Sequence, residues 1–323
     1  MVGQKNKGDT SFGVDPAIWA TNYNLKANGG LPTEYYDWDI YVNKEQFLKI
    51  PWDAVIISRI ESEQIMKELL AQHPNHKDIK VIAQAGNENI KYDWNFAPNL
   101  LSSDWFTYKN STALNKLWYM QEVGQQFRDF SYPTQKIVGT YVNCLKSFTN
   151  CSYSDATHYN SKCPHCIEPG GHQYTYNLYE MWTQLKDKCI GRVELRDYGI
   201  GNEHGMMEQK ILPLKMKDTC LTIGGKPYDG FGHSLAQSVS LGRMVIVPEG
   251  FFKYRTGCKF LIEDRTCFSV PWTSEEIATK INWFVSDWKR VQDYSLGCYE
   301  AAQACFNWVL EAKRIKEFME KLI

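Results

Sequence analysis

A strand–helix–strand pattern in the first third of the chain most restricts how it can fold. The run DAVIIS (Asp53–Ser58) is short, apolar and β-branched, as expected of a buried strand, and KVIAQAG (Lys80–Gly86) has the same character. The segment between them, ESEQIMKELLAQH, places Ile65, Leu69 and Leu70 at helical spacing. Strands joined by a helix of this length lie parallel, so the pattern predicts a parallel sheet with helices on its faces.

The same alternation returns in the second half of the chain and predicts a second sheet. The segments that fit strands or helices there are QKIVGTYVNCL, NLYEMWTQLKDKC, GRVELRDYG, MMEQKILPLKMK, DTCLTI, HSLAQSVSL and MVIVP. Pro213 is expected to bend or interrupt the helix predicted for MMEQKILPLKMK. Gly242 is expected to end the helix predicted for HSLAQSVSL in the left-handed conformation. Thr273 and Glu276 have the spacing of a capping box for a later helix, and one or two amphipathic helices end the chain.

We therefore expect an α/β fold with two Rossmann-like domains. A single hydrophobic core rarely grows beyond about 250–300 residues, and this chain has 323. We place the boundary near residue 132, where FSYPTQ breaks the pattern, which gives domains at 1–132 and 133–323. The segment STALNKLWYMQEVGQQF, just before that boundary, is predicted to be a helix.

Charge and cysteine content narrow the class of protein. The net charge of −1 at pH 7 argues against broad, charge-driven binding to nucleic acid or anionic membranes. No stretch approaches the ~18–20 apolar residues of a membrane helix, and the first residues lack the apolar core of a signal peptide. Ten cysteines without a secretion signal are typical of reduced thiols. These features predict a cytoplasmic protein without a membrane span.

The most informative stretch for function is GGKPYDGFGHSLAQSVSLGRMVIVP, which begins at Gly224. It joins a predicted strand to a predicted helix, and open α/β sheets bind ligands at such carboxyl ends of strands. Its glycines permit close approach of the backbone. The N–H groups of Gly232, His233 and Ser234 favour a negative group such as a diphosphate. The spacing matches neither G-x-G-x-x-G nor a Walker A loop, and the simpler alternative is a set of plain turn residues.

Two polar side chains in this stretch indicate what lies beside the phosphates. Asp229 would repel a bare phosphate, but its carboxylate can accept hydrogen bonds from the hydroxyls of a sugar or ribose. Gln237, eight residues later, can reach a second diol. We therefore expect a ligand with sugars on both sides of its phosphates.

The segment DGFGHSLAQSVSLGRMVIVP resembles the nucleotide-sugar site of GT-B glycosyltransferases of the retaining, glycogen-synthase-like (GT4-type) group. That group carries two acids with seven residues between them, around a G-F-G turn, and Asp229 and Gln237 stand at those positions. The resemblance implies that Asp229 contacts the transferred sugar and that Gln237 holds the ribose. It also implies that a backbone turn faces the diphosphate. The residues of this turn are Gly230, Phe231, Gly232, His233 and Ser234.

The resemblance also implies a fold and a reaction. The fold would be two Rossmann-like domains facing a central cleft: a reduced or atypical acceptor-side domain and a C-terminal nucleotide-sugar domain, with C-terminal helices crossing back. The reaction would transfer a sugar from a UDP- or GDP-sugar to an acceptor hydroxyl with retention of configuration, and would require no cofactor. The acceptor would be a carbohydrate, a small molecule or a modified nucleic acid.

Further positions of the group correspond to residues elsewhere in the chain. Lys146 stands where the group has a basic residue that neutralises the diphosphate, and a solvated surface lysine is the alternative. Asn143 falls at the group's second basic position. Gly29 and Gly30 correspond to a glycine pair near the donor, and a plain turn is the alternative.

Polar residues in the N-terminal half are weaker candidates for contacts with an acceptor. Asn87, Glu88 and Asn89 follow the end of a predicted strand, which is where acceptor contacts are expected. His73 and His76 fit a solvated helix end better than a catalytic site.

A cysteine- and histidine-rich insertion near residues 146–172 is a candidate metal site. Cys163 and Cys166 form a C-x2-C pair, and Cys151 and His172 can complete the four ligands of a tetrahedral zinc ion. Such a zinc would be structural, because protein fills all four positions. Free thiols on an ordered loop are the alternative.

Two other functions fit the same residues. Aspartate and glutamine in place of the group's two glutamates are compatible with a non-catalytic nucleotide-sugar-binding module. A glycosyltransferase that acts on modified bases of DNA is a narrower alternative, which the near-neutral charge disfavours without excluding a basic cleft.

Overall fold

The structure, a computed structural model, shows a chain folded into two compact units. The described residues are 18–21, 39–42, 44–57, 63–85, 98–121, 123–142, 178–199, 202–205, 207, 211–224, 231–251 and 256–322. Unit 1 comprises residues 1–122 and 307–323, and unit 2 comprises residues 123–306. The chain thus passes once into unit 2 and returns to unit 1 near its end. The sequence-based division instead gave a single boundary near residue 132.

Unit 1 contains a four-stranded parallel sheet and a separate antiparallel pair of short strands. The strands are β1 (Ile18–Thr21), β2 (Asp39–Val42), β3 (Ala54–Ile57), β4 (Lys80–Ala85), β5 (Asn99–Ser102) and β6 (Asn115–Trp118). The helices are α1 (Lys44–Lys49), α2 (Glu63–Gln72), α3 (Trp105–Asn110) and, after the chain returns, α9 (Trp308–Glu320). The parallel strands lie in chain order, β3-β4-β5-β6, as expected for successive strand–helix–strand units.

The last helix contributes to the core of unit 1. Ile82, Leu101 and Tyr119 are fully buried around the parallel sheet, and Ile315 of α9 packs against them. Burying an aliphatic side chain of this size contributes roughly 1.5–3 kcal/mol to folding. The end of the chain is therefore an integral part of unit 1.

A buried carboxylate attaches α9 to the end of β6. Glu311 is 4% exposed, and its carboxylate accepts hydrogen bonds from the backbone N–H of Met120 at 2.6 Å and from Arg314 at 2.5 Å. Arg314 also donates to the carbonyl of Trp118 at 3.1 Å. Because a buried charge is stable only when it is paired and hydrogen-bonded, these contacts favour one register of α9 on β6.

Unit 2 contains a five-stranded parallel sheet with helices around it. The strands are β7 (Ile137–Thr140), β8 (Glu194–Asp197), β9 (Leu221–Ile223), β10 (Met244–Pro248) and β11 (Cys267–Val270). The helices are α4 (Leu178–Lys188), α5 (Leu212–Asp218), α6 (His233–Ser240), α7 (Ser274–Val285) and α8 (Trp288–Cys305). Short 3₁₀ turns lie at Gln125–Phe127 and Thr256–Lys259.

The order of these strands locates the ligand-binding edge of unit 2. They lie in the order β8-β7-β9-β10-β11, so the chain first steps outward from β7 to β8 and then crosses to β9 on the other side. Doubly wound sheets of this kind bind ligands at the carboxyl ends of the two strands that flank the reversal. The topology therefore predicts a site formed by the loops after β7 and β9.

Much of the architecture predicted from the sequence is confirmed. The α/β class with two parallel sheets is correct, and two helices, α8 and α9, end the chain. Thr273 caps α7, because its hydroxyl accepts a hydrogen bond from the N–H of Glu276 at 3.2 Å. The N–H of Thr273 donates to the carbonyl of Pro271 at 2.8 Å instead of to Glu276, so only half of the capping box forms.

The helix predicted for STALNKLWYMQEVGQQF is wrong, because this segment forms β6 and, further on, a 3₁₀ turn. Leu114 is 85% exposed, so it does not belong to an apolar helical face. Leu117 and Tyr119 instead pack into the core at a spacing of two, while the Trp118 ring lies 4.4 Å from that of Trp105. Alternate residues thus face opposite sides, as in a strand that pairs with β5.

The prediction that Pro213 bends or interrupts a helix is also wrong. The helix α5 begins at Leu212, which places Pro213 in its first turn. Proline is compatible with that position, because an N–H group there has no partner within the helix.

None of the described helices is long and apolar enough to cross a lipid bilayer.

A buried arginine ties together the helices at the start of β10. Arg243 is fully buried and donates to the carbonyls of Leu241 at 2.7 Å and Lys217 at 2.8 Å. It also donates to the hydroxyl of Ser295 in α8 at 3.2 Å. Burial lowers the pKa of its guanidinium to about 10. Arg243 therefore stays charged near neutral pH and holds α5, α6 and α8 in place through neutral acceptors.

The residue before it, Gly242, ends α6 in the predicted left-handed conformation, with φ of 74°. A Cβ atom there would lie 2.6 Å from the carbonyl oxygen of Ser295, which is backbone and cannot rotate away. We expect Gly242→Ala to lower the free energy of unfolding by about 2–4 kcal/mol, since it adds a clash to left-handed strain. Urea denaturation followed by tryptophan fluorescence measures this change.

Gly191→Ala is the matched control for that substitution. Gly191 has φ of 71°, and no atom lies within 4 Å of the position of its Cβ. Gly191→Ala should lower the free energy of unfolding only by the left-handed strain, which is about 1–2 kcal/mol. Equal losses in the two variants would contradict the role assigned to the contact with Ser295.

Candidate functional site

The turn between β9 and α6 places the helix close to the end of the sheet. Gly224 directly follows β9, and its N–H donates to the carbonyl of Ile246 in β10 at 2.9 Å. A Cβ atom at this position would lie 2.1 Å from Cδ2 of Leu235 in α6. Only a residue without a side chain fits here, so Gly224 sets how near α6 begins to the sheet.

The first turn of α6 provides unused hydrogen-bond donors. Gly232 precedes the helix in the left-handed conformation, with φ of 78°, and no side chain caps this end. Among the residues that the structure describes, the backbone N–H groups of His233, Ser234 and Leu235 have no acceptor. Such groups carry the partial positive charge of the helix start, and an anion can complete their hydrogen bonds.

An aromatic side chain anchors this turn to the interior of unit 2. Phe231 is 2% exposed, and its ring centroid lies 5.6 Å from that of Phe260 and 5.2 Å from that of His233. Burial of the ring fixes the backbone immediately before α6. The unused donors therefore stand on a rigid support, which suits recognition of a ligand.

His233 stays uncharged at neutral pH. Its ring is partly accessible to solvent but closely surrounded by protein, and this desolvation lowers its pKa to about 4. The imidazole therefore adds no positive charge near pH 7, and the attraction for an anion at this turn comes from the backbone N–H groups.

Two of the predicted polar residues share a face of α6. Ser234 and Gln237 are three positions apart and partly exposed, so their side chains are neighbours beside the unused donors. The other predicted site residues lie outside the described part of the chain, and these are Gly29, Gly30, Asn87, Glu88, Asn89, Asn143, Lys146, Asp229 and Gly230.

The prediction that His73 belongs to a solvated helix end is wrong. His73 is 2% exposed, its Nε2 lies 2.9 Å from the carbonyl of Ile50, and its Nδ1 accepts from the N–H of Asn75 at 3.1 Å. This arrangement fixes the proton on Nε2 and gives His73 a structural role. His76 is exposed, as predicted.

The described residues contain no group of three histidine, cysteine or acidic side chains that could hold a metal ion. The four predicted zinc ligands, Cys151, Cys163, Cys166 and His172, lie outside those residues. The described cysteines are free thiols. Burial raises the pKa of Cys220 to about 12, so this thiol is unreactive at neutral pH.

The sequence analysis missed an aspartate–histidine pair at the carboxyl end of β8. Asp197 ends this strand, and Nδ1 of His204 lies 2.8 Å from its Oδ1. Tyr198 is stacked on Tyr141, which directly follows β7, with ring centroids 5.5 Å apart. An acid at a strand end followed by a histidine in the glycine-flanked run YGIGNEHG was the available signal.

Sequence comparison alone does not place the chain in a family, since no protein-family model and no curated protein matches it.

The fold is shared with solved glycosyltransferases. Sucrose-phosphate synthase from Thermosynechococcus elongatus has a TM-score of 0.59 at 13% identity, over 86% of this chain and 77% of that protein. HepE from Anabaena, in complex with UDP and glucose, has a TM-score of 0.58 at 11% identity, over 83% of this chain and 78% of HepE. TarM of S. aureus has a TM-score of 0.57 at 13% identity, over 82% of this chain but only 54% of TarM.

These neighbours are GT-B glycosyltransferases, and the chain has their fold. The predicted resemblance is thus confirmed at the level of architecture, at sequence identities that show the fold alone. The chain spans about half of TarM and about three quarters of the other two proteins.

The contact between Gly224 and Leu235 can be tested with a double-mutant cycle. We expect Gly224→Ala to lower the free energy of unfolding by about 1–3 kcal/mol through overpacking, and Leu235→Ala by about 2–5 kcal/mol through a cavity. In the double variant the clash is absent, so the combined loss should fall short of the sum by more than about 1 kcal/mol. Additive losses in urea denaturation would contradict this contact.

The lowered pKa of His233 makes stability depend on pH. Its folded-state pKa of about 4 lies below the usual 6.5, so unfolding takes up a proton between these values. The stabilisation is complete above about pH 6.5 and is lost as the pH falls towards about 4, up to about 3 kcal/mol. His233→Asn should flatten this part of the stability–pH curve, measured by urea denaturation at a series of pH values.

The exposed His76 provides the control, as His76→Asn. This variant should retain the wild-type dependence of stability on pH. Identical curves for His233→Asn and the wild type would show that His233 ionises normally.

Proposed function

We propose that the protein is a glycosyltransferase that moves a sugar from a nucleotide-diphosphate sugar to an acceptor hydroxyl, with retention of configuration. The observation that carries this proposal is the turn at Gly232, at the reversal point of a GT-B sheet, whose backbone N–H donors have no acceptor in the described part of the chain. Such a turn suits the diphosphate of a donor.

Structural neighbours support UDP as the nucleotide. HepE is solved in complex with UDP-glucose, and GtfA, the pneumococcal O-GlcNAc transferase, with UDP and GlcNAc. By analogy the donor lies over the first turn of α6, with its diphosphate at the N–H groups of His233 and Ser234. Gln237, one turn along the helix, would then hold the ribose.

The reaction needs stabilisation of negative charge on the leaving group. The bond between the anomeric carbon and the phosphate oxygen breaks, the acceptor oxygen bonds to that carbon, and the acceptor proton passes to the departing phosphate. The donors of α6 and Lys146 would stabilise the nucleoside diphosphate as charge develops. Asp229 would orient the transferred sugar through its hydroxyls. We assign no covalent nucleophile.

Donor binding is the first test of this function. Isothermal titration with UDP-, GDP- and ADP-sugars should show binding of one nucleotide class, with UDP-sugars expected. Gln237→Ala should weaken that binding about tenfold, because the variant loses hydrogen bonds to the ribose. Gln72→Ala, at an exposed glutamine of α2 in unit 1, is the matched control and should bind like the wild type.

The enzyme proposal fails if a folded sample binds none of these donors. Binding without turnover or donor hydrolysis would instead favour a nucleotide-sugar-binding module. For an active sample, proton NMR of the first-formed product gives the anomeric configuration, and inversion would contradict the retaining mechanism.

A further inference from the structure

The pair formed by Asp197 and His204 is built so that one ring nitrogen stays available. The side chain of Asp197 is 8% exposed and that of His204 is 29% exposed. The 2.8 Å separation between Nδ1 and the carboxylate oxygen requires a proton between them, because two lone pairs would repel at this distance. The backbone N–H of Asp197 also lies near Nδ1, with its nitrogen 3.3 Å away. The shorter contact with the carboxylate is the stronger one, and it assigns the proton to Nδ1. Among the described residues Nε2 of His204 has no partner.

The loop that carries His204 is braced on both sides. The N–H of His204 donates to the carbonyl of Asp197 at 3.2 Å, and Gly199 donates to the carbonyl of Gly205 at 2.8 Å. The side chain of Asn202 donates to the carbonyls of Val142 at 2.7 Å and Tyr198 at 3.1 Å. These bonds fix the imidazole relative to the ends of β7 and β8. A histidine held in this way is suited to bind a ligand.

The topology places this pair beside the diphosphate turn. The strand β7 lies between β8 and β9 in the sheet, and neighbouring strands are about 4.8 Å apart. The carboxyl ends of β8 and β9 are therefore separated by about 10 Å. Asn202 reaches the carbonyl of Val142, so the loop with His204 leans towards the reversal point and not away from it.

We infer that His204, oriented by Asp197, binds the diphosphate of the donor and neutralises part of its charge. This inference rests on the proposed function. In the protonated ring, Nδ1 donates to the Asp197 carboxylate and Nε2 donates to a phosphate oxygen. The pair on β8 thus adds a donor from a neighbouring loop to the backbone N–H groups at the start of α6.

Several charged groups surround the ring. Asp197 contacts it directly, and Glu194 interacts with it along β8 while Arg196 pairs with Glu194 at 2.6 Å. Glu203, next to His204 in the loop, forms an ion pair with Lys186 of α4. The two acids outside the pair are thus each matched by a base. Binding of a diphosphate should strengthen as the pH falls, because protonation of the ring makes Nε2 a donor.

The test measures UDP-glucose binding by isothermal titration at about pH 6 and about pH 8. Both phosphates of this ligand are diesters, so its own charge does not change with pH as that of a terminal phosphate does. The wild type should bind more tightly at the lower pH. His204→Gln should bind about tenfold more weakly at the lower pH and lose most of the pH dependence, because one charged hydrogen bond is missing. Asp197→Asn keeps the ring but not its orientation, and should show an intermediate loss. His76→Gln is the control and should behave like the wild type.

Two outcomes overturn the inference. One is an unchanged affinity for UDP-glucose and an unchanged pH dependence in His204→Gln. The other is an equal loss at both pH values, which would indicate a structural role without charge.

A second readout separates this inference from the proposed function. Inorganic pyrophosphate titrated into the wild type should shift the imidazole proton resonances of His204 in NMR, assigned by their absence in His204→Gln. If pyrophosphate shifts these resonances but no nucleotide sugar binds, the anion site is supported and the transferase proposal is contradicted. Nucleotide-sugar binding without a shift of these resonances would keep the transferase and reject His204 as a diphosphate ligand.

Discussion

The contact between Gly224 and Leu235 fixes the geometry on which the candidate site depends. Leu235 occupies the space that any side chain at position 224 would need, so α6 starts immediately beyond the end of β9. The N–H groups of the first turn of α6 then lie at the carboxyl edge of the sheet. Phe231 fixes the backbone between them by filling the interior with its ring. The donors of the turn therefore derive their position from packing.

The second constraint is the place of β7 between β8 and β9. This order brings three loops of unit 2 to one edge, although their strands are separated by long stretches of sequence. The turn at Gly232 follows one strand, and the pair of Asp197 and His204 follows another. Parallel pairing makes all the carboxyl ends coincide, so groups of different chemical character are collected at the same edge. The candidate site is a consequence of that topology.

Sequence reasoning succeeded for most elements because their apolar spacing is unambiguous. The buried runs of β3, β4 and β10 and the capped start of α7 are examples. It failed for β6, where the spacing of leucines and aromatics fits either a helix or a strand. There the pairing with β5 and the contact of Tyr119 with α9 decide the conformation. Likewise, His73 is structural because Ile50 and Asn75 surround it in the folded chain.

The sequence by itself determined the α/β class, the parallel sheets and the left-handed glycine that ends α6, because periodicity and glycines act over short distances. Only the tertiary structure decided that α9 belongs to unit 1, where the carboxylate of Glu311 accepts a hydrogen bond from the N–H of Met120. It also decided that His233 is uncharged and that His204 faces Asp197. These features depend on burial and on contacts between segments that are distant in sequence, so local sequence patterns do not predict them.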